Sequence, residues 1–136
     1  MRVYLDSSAV IKRVIAERES AGLGRALDEY YSAGEVLVSS SLTWIEVARA
    51  LRTRLGTGLA EVSTHLDDAL SGVAEYPMGP QVVGLARRVS PNALRSLDAV
   101  HLASALLLDA DLVLTYDDQL AAACRENGLT VGSPSD

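Results

Sequence analysis

At 136 residues the chain is sized for one domain. A chain of that length buries roughly two-thirds of the surface its unfolded form exposes, so it needs neither disulfides nor a structural metal to fold. A net charge of −6 argues against bulk electrostatic binding of nucleic acid, and the single cysteine, Cys124, excludes an intramolecular disulfide. Phe is absent, which leaves the core to Leu, Val, Ala and Ile. Cys124 sits in Ala-rich LAAACREN and reads as a buried, inert thiol suited to a reducing cytoplasm. MRVYLDSS carries no apolar segment of the signal-peptide kind, and the longest apolar stretch, around Leu102 to Leu108, is too short to span a bilayer.

In chain order, RVYL at 2–5 reads as a short buried strand, followed by a helix from Ser7 to about Ala16 with Ser7 or Ser8 as its cap. A helix over about 18–33 stops at Gly34. VLVS at 36–39 is a second strand, and Ser40 or Ser41 caps a helix reaching Leu55, ended by Gly56 and Gly58. A helix from Leu59 to Ser71, a weak strand at 73–76 and a helix from Pro80 to about Val89 follow. Ser96 caps a strongly apolar helix to about Asp109, DLVLT at 111–115 is a buried strand, and Asp117 or Asp118 opens a helix to Asn127. LTV at 129–131 is a last strand. Apolar strands alternating with helices define an α/β domain over 1–132, with a mostly parallel sheet, helices on both faces and a tail at 133–136.

Four acids stand where apolar neighbours point to burial: Asp6 in VYLDSSAV, Glu46 in SLTWIEVARAL, Asp98 in LRSLDAVHLASAL and Asp117 in LVLTYDDQL. A buried carboxylate is costly unless paired or bound to a cation, and no Lys or Arg follows at a spacing that pairs all four. Each has a plainer reading. Asp6 and Asp117 suit helix caps, and Thr115 with Asp118 fits a capping box. Asp98 suits a first helical turn, and Glu46 can pair with Arg49. Together they suggest more, because ligands in open parallel sheets bind beyond the carboxyl ends of the strands, where Asp6 and Asp117 fall and which Glu46 and Asp98 can reach. Two carboxylates 4 Å apart repel by about 4 kcal/mol at an effective dielectric of 20, and a divalent cation reverses that sign. Mg²⁺ and Mn²⁺ take such oxygen ligands and serve phosphoryl chemistry. Eleven of the twelve basic residues are Arg, grouped at Lys12, Arg13, Arg18, at Arg49, Arg52, Arg54 and at Arg87, Arg88, Arg95, which suits phosphate binding.

VYLDSSAVIK, SSLTWIEVARAL, LRSLDAVHLASAL and LVLTYDDQLAAACRENGLTV resemble, in this order, the four motifs of PIN-domain nucleases, and more narrowly of VapC-type toxins of bacterial toxin–antitoxin pairs. The resemblance spans residues 3 to 131. It implies a parallel-sheet α/β/α sandwich and an endoribonuclease dependent on Mg²⁺ or Mn²⁺. It makes Asp6, Glu46, Asp98 and Asp117 the metal-site and catalytic acids, with Asp118 the alternative to Asp117, and Ser7 and Thr115 their supporting hydroxyls. It further implies a homodimer held in check by a VapB-like antitoxin that sets a basic residue against the acids, with the apolar surface around Trp44 and the first two helices as a receiver, or Trp44 as plain core. On this reading Asp6 and Asp98 hold an ion that activates water for in-line attack on RNA phosphorus, leaving 5′-phosphate and 3′-hydroxyl ends.

His101, three residues from Asp98, is expected to bond an Asp or to fill the core rather than to ligate metal, and His65 reads as surface. One Cys and two distant His do not make a zinc site. Two rivals stand beside the nuclease. A phosphohydrolase of the haloacid dehalogenase type also places an Asp after its first strand, but Ser8 holds the position of its second acid. A catalytically inert module of the same fold is the other.

Overall fold

The computed structural model describes residues 1–56 and 58–136. Five strands, β1 (Arg2–Leu5), β2 (Val36–Ser40), β3 (Val73–Tyr76), β4 (Leu112–Leu114) and β5 (Val131–Gly132), form one parallel sheet in the order β3-β2-β1-β4-β5. Val3 lies level with Leu37 on one side and Leu112 on the other. The chain leaves β1 toward one edge and later returns to build the other. The crevice between β1 and β4 is therefore the point where strand order reverses, the usual ligand position in such sheets.

The helices are α1 (Ser7–Ile11), α2 (Ser20–Ser32), α3 (Ser41–Leu55), α4 (Leu59–Ala69), α5 (Pro80–Ala86), α6 (Ser96–Leu107) and α7 (Asp118–Glu126). Strand side chains alternate between faces and so create two cores. Val3, Leu5, Leu37 and Leu114 meet Val10, Leu23, Leu27, Val47, Leu51 and Val62 of α1 to α4. Tyr4, Val38 and Val113 meet Leu102, Ala105, Leu120 and Cys124 of α6 and α7. Each fully buried Leu or Val contributes roughly 1.5–3 kcal/mol by leaving water. The result is a three-layer α/β/α sandwich.

Several boundaries differ from the sequence expectation. Helix α1 ends at Ile11 rather than near Ala16. Beyond it the backbone tightens into turns, and Arg13 Nη1 donates to the carbonyls of Ala69 and Ser71, at 2.8 and 2.9 Å. The cap of α1 is Asp6, not Ser7 or Ser8. Ser96 is the first residue of α6, and Arg95 occupies the cap position without a side-chain bond. Helix α5 stops at Ala86, and β5 is shifted to 131–132. The strand at 73–76 is present at the sheet edge, paired only with β2. Ser40 caps α3, and Gly56, at φ 61°, ends it.

Residues 133–136 lie against the domain. Ser133 Oγ donates to Thr115 O at 2.7 Å, Tyr116 Oη to Pro134 O at 2.5 Å, and Arg25 meets Asp136 at 2.5 Å. Gly22 of α2 faces this segment so closely that a Cβ there would come within 2.5 Å of the Ser135 carbonyl carbon. Among the described residues no helix is long and apolar enough to cross a membrane.

Candidate active site

Asp6 follows β1 directly and lies at the crevice, only 3% exposed. Its Oδ1 accepts from the Ala9 amide at 3.0 Å and from Ser8 Oγ at 2.7 Å, and its Oδ2 accepts from Thr115 Oγ1 at 2.5 Å. Burial pushes the Asp6 carboxyl above its usual range, although His101, Thr115, Ser8 and Ala9 act in the opposite direction. Thr115, fully buried at the end of β4, also accepts the Asp117 amide at 3.1 Å. Asp117 caps α7 by accepting the Leu120 amide at 2.9 Å, and Asp118 is the first residue of that helix. The cap reading is thus correct for Asp6 and Asp117, while Thr115 does not cap α7.

Glu46, in the second turn of α3, is half-buried. It does not pair with Arg49. Its Oε1 accepts from Ser7 Oγ at 2.5 Å and from His101 Nε2 at 2.7 Å. Burial alone would raise its pKa, but these bonds outweigh it and hold the carboxyl below its ordinary range. Asp98, in the first turn of α6, is shifted upward by burial and then by the charge of Asp117, with Asp6 and Glu46 adding to it against His101. The fields of the other three acids therefore meet at Asp98. Asp117 is the acid whose charge adds most to that upward shift.

Cationic side chains do not resolve this repulsion. Among the described residues neither Lys nor Arg forms an ion pair with any of the four acids. Lys12 is held by Glu17 and Glu19 at 3.4 and 3.0 Å, and sits 4.6 Å from the centre of the Tyr116 ring. Among the described residues no three His, Cys, Asp or Glu side chains form a ready-made metal cage. Mg²⁺ does not require one, since it keeps several waters and takes one or two carboxylates. An all-oxygen set of acids with no Lys or Arg partner among the described residues fits such an ion.

His101 is 3% exposed, and its partner is Glu46, not the Asp98 that the sequence spacing favours. Its Nδ1 meets the hydroxyl of fully buried Tyr4 at 2.7 Å. Burial drives the Tyr4 phenol far above its ordinary range, so it stays protonated. Sequence reading missed Tyr4 altogether and gave Ser8 only a capping role. Ser8 instead donates to Asp6 and accepts the Tyr116 amide at 2.9 Å, tying the loop after β4 to the loop after β1. The paired hydroxyls of D-S-S were the available signal. Cys124 is buried and its thiol pushed up to about 12 by desolvation, as an inert core residue should be. His65 is exposed, and Trp44 packs half-buried against the core.

Fold and site together define a three-layer α/β domain with acids gathered at its switch point, a layout suited to a divalent cation. The sequence matches the family model of the PIN domain over residues 3–126, and the chain belongs to that family. It is 36% identical to ribonuclease VapC47 of Mycobacterium tuberculosis (strain CDC 1551 / Oshkosh) over 134 residues, covering 97% of this chain and 96% of the relative. It is 37% identical to ribonuclease VapC46 of Mycobacterium tuberculosis (strain ATCC 25618 / H37Rv) over 135 residues, covering 98% of each. The fold is similar to that in the crystal structure of VapBC2 from Rickettsia felis bound to a promoter DNA fragment, with a TM-score of 0.78 at 11% identity over 99% of this chain and 100% of that one. It is also similar to Mycobacterium tuberculosis VapC20, described as a sarcin-ricin loop cleaving toxin, with a TM-score of 0.73 at 15% identity over 97% and 99%. Membership of this family sets aside the haloacid dehalogenase reading.

Proposed function

We propose that this PIN-domain protein is a divalent-metal-dependent endoribonuclease, the toxin of a toxin–antitoxin pair. The observation that carries the reading is the hydrogen-bonded cluster in which Thr115 joins Asp6 to the Asp117 turn and Ser7 and His101 hold Glu46, with no Lys or Arg paired to Asp6, Glu46, Asp98 or Asp117 among the described residues. Relatives at 36% and 37% identity over nearly the whole chain bear the name ribonuclease, which supports the same activity here.

Asp6 and Asp98 would hold Mg²⁺ or Mn²⁺, with Glu46 and Asp117 joining them directly or through water. When bound, such an ion makes water a nucleophile at neutral pH and offsets charge on phosphoryl oxygens. The chain's own residues prepare that site. Thr115 and Ser8 fix both oxygens of Asp6. Ser7 and His101 fix one oxygen of Glu46 and keep the carboxyl ionised. Thr115 also orders the turn that presents Asp117. Exposed Arg49 and Arg52 flank a cleft of about 300 Å³ with Thr53, three to seven residues beyond Glu46 on α3. Neither arginine is ion-paired among the described residues, which leaves both guanidinium groups for RNA phosphates. A homodimer working in the cytoplasm, restrained by a VapB-like antitoxin whose basic side chain meets the acids, completes the reading.

The test is cleavage of end-labelled RNA with Mg²⁺ or Mn²⁺, with EDTA, and with Asp6→Asn and Asp98→Asn. Each variant and the chelated protein should lose at least about 100-fold in rate, the scale of one lost charge-stabilising interaction. Wild-type cleavage by any of them rejects the metal mechanism. No cleavage by the wild-type chain under any cation favours the inert module.

A further inference from the structure

Two residues with polar groups, Tyr4 and His101, lie in the core. Tyr4 is fully buried on β1 and His101 is 3% exposed on α6, with their rings edge-to-face at 5.9 Å. Buried polar groups persist where their bonds serve a purpose, since unpaired they are destabilising. The Tyr4 hydroxyl meets His101 Nδ1 at 2.7 Å, and His101 Nε2 meets Glu46 Oε1 at 2.7 Å. The direction of this chain follows from chemistry. A lone pair on Nε2 facing a carboxylate at that distance would be repelled, so Nε2 carries the proton and donates to Glu46. When Nε2 alone carries the proton, Nδ1 is an acceptor and the Tyr4 hydroxyl is the donor that satisfies it.

We propose that Tyr4 and His101 are positioning residues: a buried Tyr4–His101–Glu46 relay that fixes Glu46 for cation binding. The proposal rests on the metal-nuclease reading for its purpose, though not for its geometry. Glutamate has three rotatable side-chain bonds and loses much freedom when held. Glu46 lies on α3, while Asp98 and His101 share one face of α6, three residues apart. The relay therefore locks the α3 acid to the helix that carries Asp98, with β1 as the anchor. His101 and Ser7 both act on Oε1. Among the described residues no hydrogen bond engages Oε2, which remains free to meet an ion. The partners of a metal-site acid tune affinity in the same way as the partners of ligating histidines.

The experiment compares Tyr4→Phe, His101→Gln and His101→Leu with the wild-type chain. Tyr4→Phe removes one oxygen and preserves the ring. His101→Gln keeps an N–H donor near Nε2, and His101→Leu keeps none. Mn²⁺ affinity is measured by electron paramagnetic resonance without RNA, alongside thermal midpoints. Mn²⁺ affinity should fall about 10-fold in His101→Leu and severalfold in Tyr4→Phe, the range expected for lost outer partners. His101→Gln should recover part of the loss, whatever the order of the thermal midpoints. Wild-type affinity in both Tyr4→Phe and His101→Leu overturns the proposal. Ring ¹⁵N shifts of His101 in the metal-free chain separate this outcome from failure of the metal reading. An Nε2–H tautomer that becomes mixed in Tyr4→Phe supports the relay even if the wild type binds no Mn²⁺, and an Nδ1–H tautomer in the wild type overturns it.

Discussion

At the residue scale, the acids of one site carry opposite linkages to stability. Asp98 has a raised pKa in the folded state, so its ionisation destabilises the fold as pH climbs through the ordinary carboxylate range and the raised value above it. Glu46 has a lowered pKa, so its contribution is favourable above the ordinary range and is lost as pH falls through the depressed value. Asp98→Asn should therefore melt higher than wild type in EDTA at neutral pH. The gain is modest because Asp98 is partly exposed and solvent screens it, and should be a few degrees at most on the scale of roughly 4 °C per kcal/mol for a domain of this size. It should vanish in acid below the ordinary carboxylate range, where both states of Asp98 are protonated. Added Mg²⁺ should raise the wild-type midpoint and leave the variant where it was. Calorimetry across pH checks this, and a variant that melts lower at neutral pH contradicts the repulsion at Asp98. The sequence made these acids conspicuous because charge among apolar neighbours is rare. Their hydroxyl and imidazole partners were obscure, because Tyr4 and His101 lie 97 residues apart and His101 and Glu46 lie 55 apart.

At the scale of elements, what the sequence revealed depended on how local the cause was. The ends of α3 are written in its own residues, Ser40 bonding the Leu42 amide and Gly56 taking the left-handed conformation. The early end of α1 was not legible, because Arg13 is drawn away by carbonyls 56 and 58 residues distant. Strand β3 gave a weak signal because an edge strand is only half covered, and none of its four residues is fully buried. Helix α3 also carries the basic cleft. Replacing both Arg49 and Arg52 with Ala should weaken RNA binding at low salt. If each contacts one phosphate of a single strand, the log–log salt slope should flatten by about 1.4. Folding should be unaffected, since both side chains are exposed. Fluorescence anisotropy with RNA in EDTA at several salt concentrations measures this, and an unchanged slope removes the cleft from the RNA path.

At the scale of the whole molecule, alternation of apolar strands with helices was enough to expect a parallel three-layer sandwich, and the rule for strand ends was enough to put Asp6 and Asp117 at one edge of the sheet. The segment at 133–136 looked separable because Ser, Pro and Asp have no apolar pattern, yet it is met by Thr115, Tyr116, Arg25 and the bare backbone at Gly22. Gly22→Ala should force this segment off α2, since the clash is with backbone and not with a movable side-chain tip. Faster hydrogen exchange at residues 133–136 with a slightly lower midpoint is expected, and unchanged exchange there would show that the helix and segment shift together.

The double duty proposed for Asp6 and Asp117, helix cap and metal-site acid, has a consequence for how such a protein can drift. Each uses one carboxyl oxygen to begin a helix. Truncation to Ala at either position erases the charge and also a cap, which costs about 1 kcal/mol. Amidation to Asn erases the charge and leaves an acceptor for the helix amide. Lineages escaping the burden of this activity thus have a soft exit through Asn and a steep one through Ala. Inactive descendants should retain their shape long after they lose their chemistry.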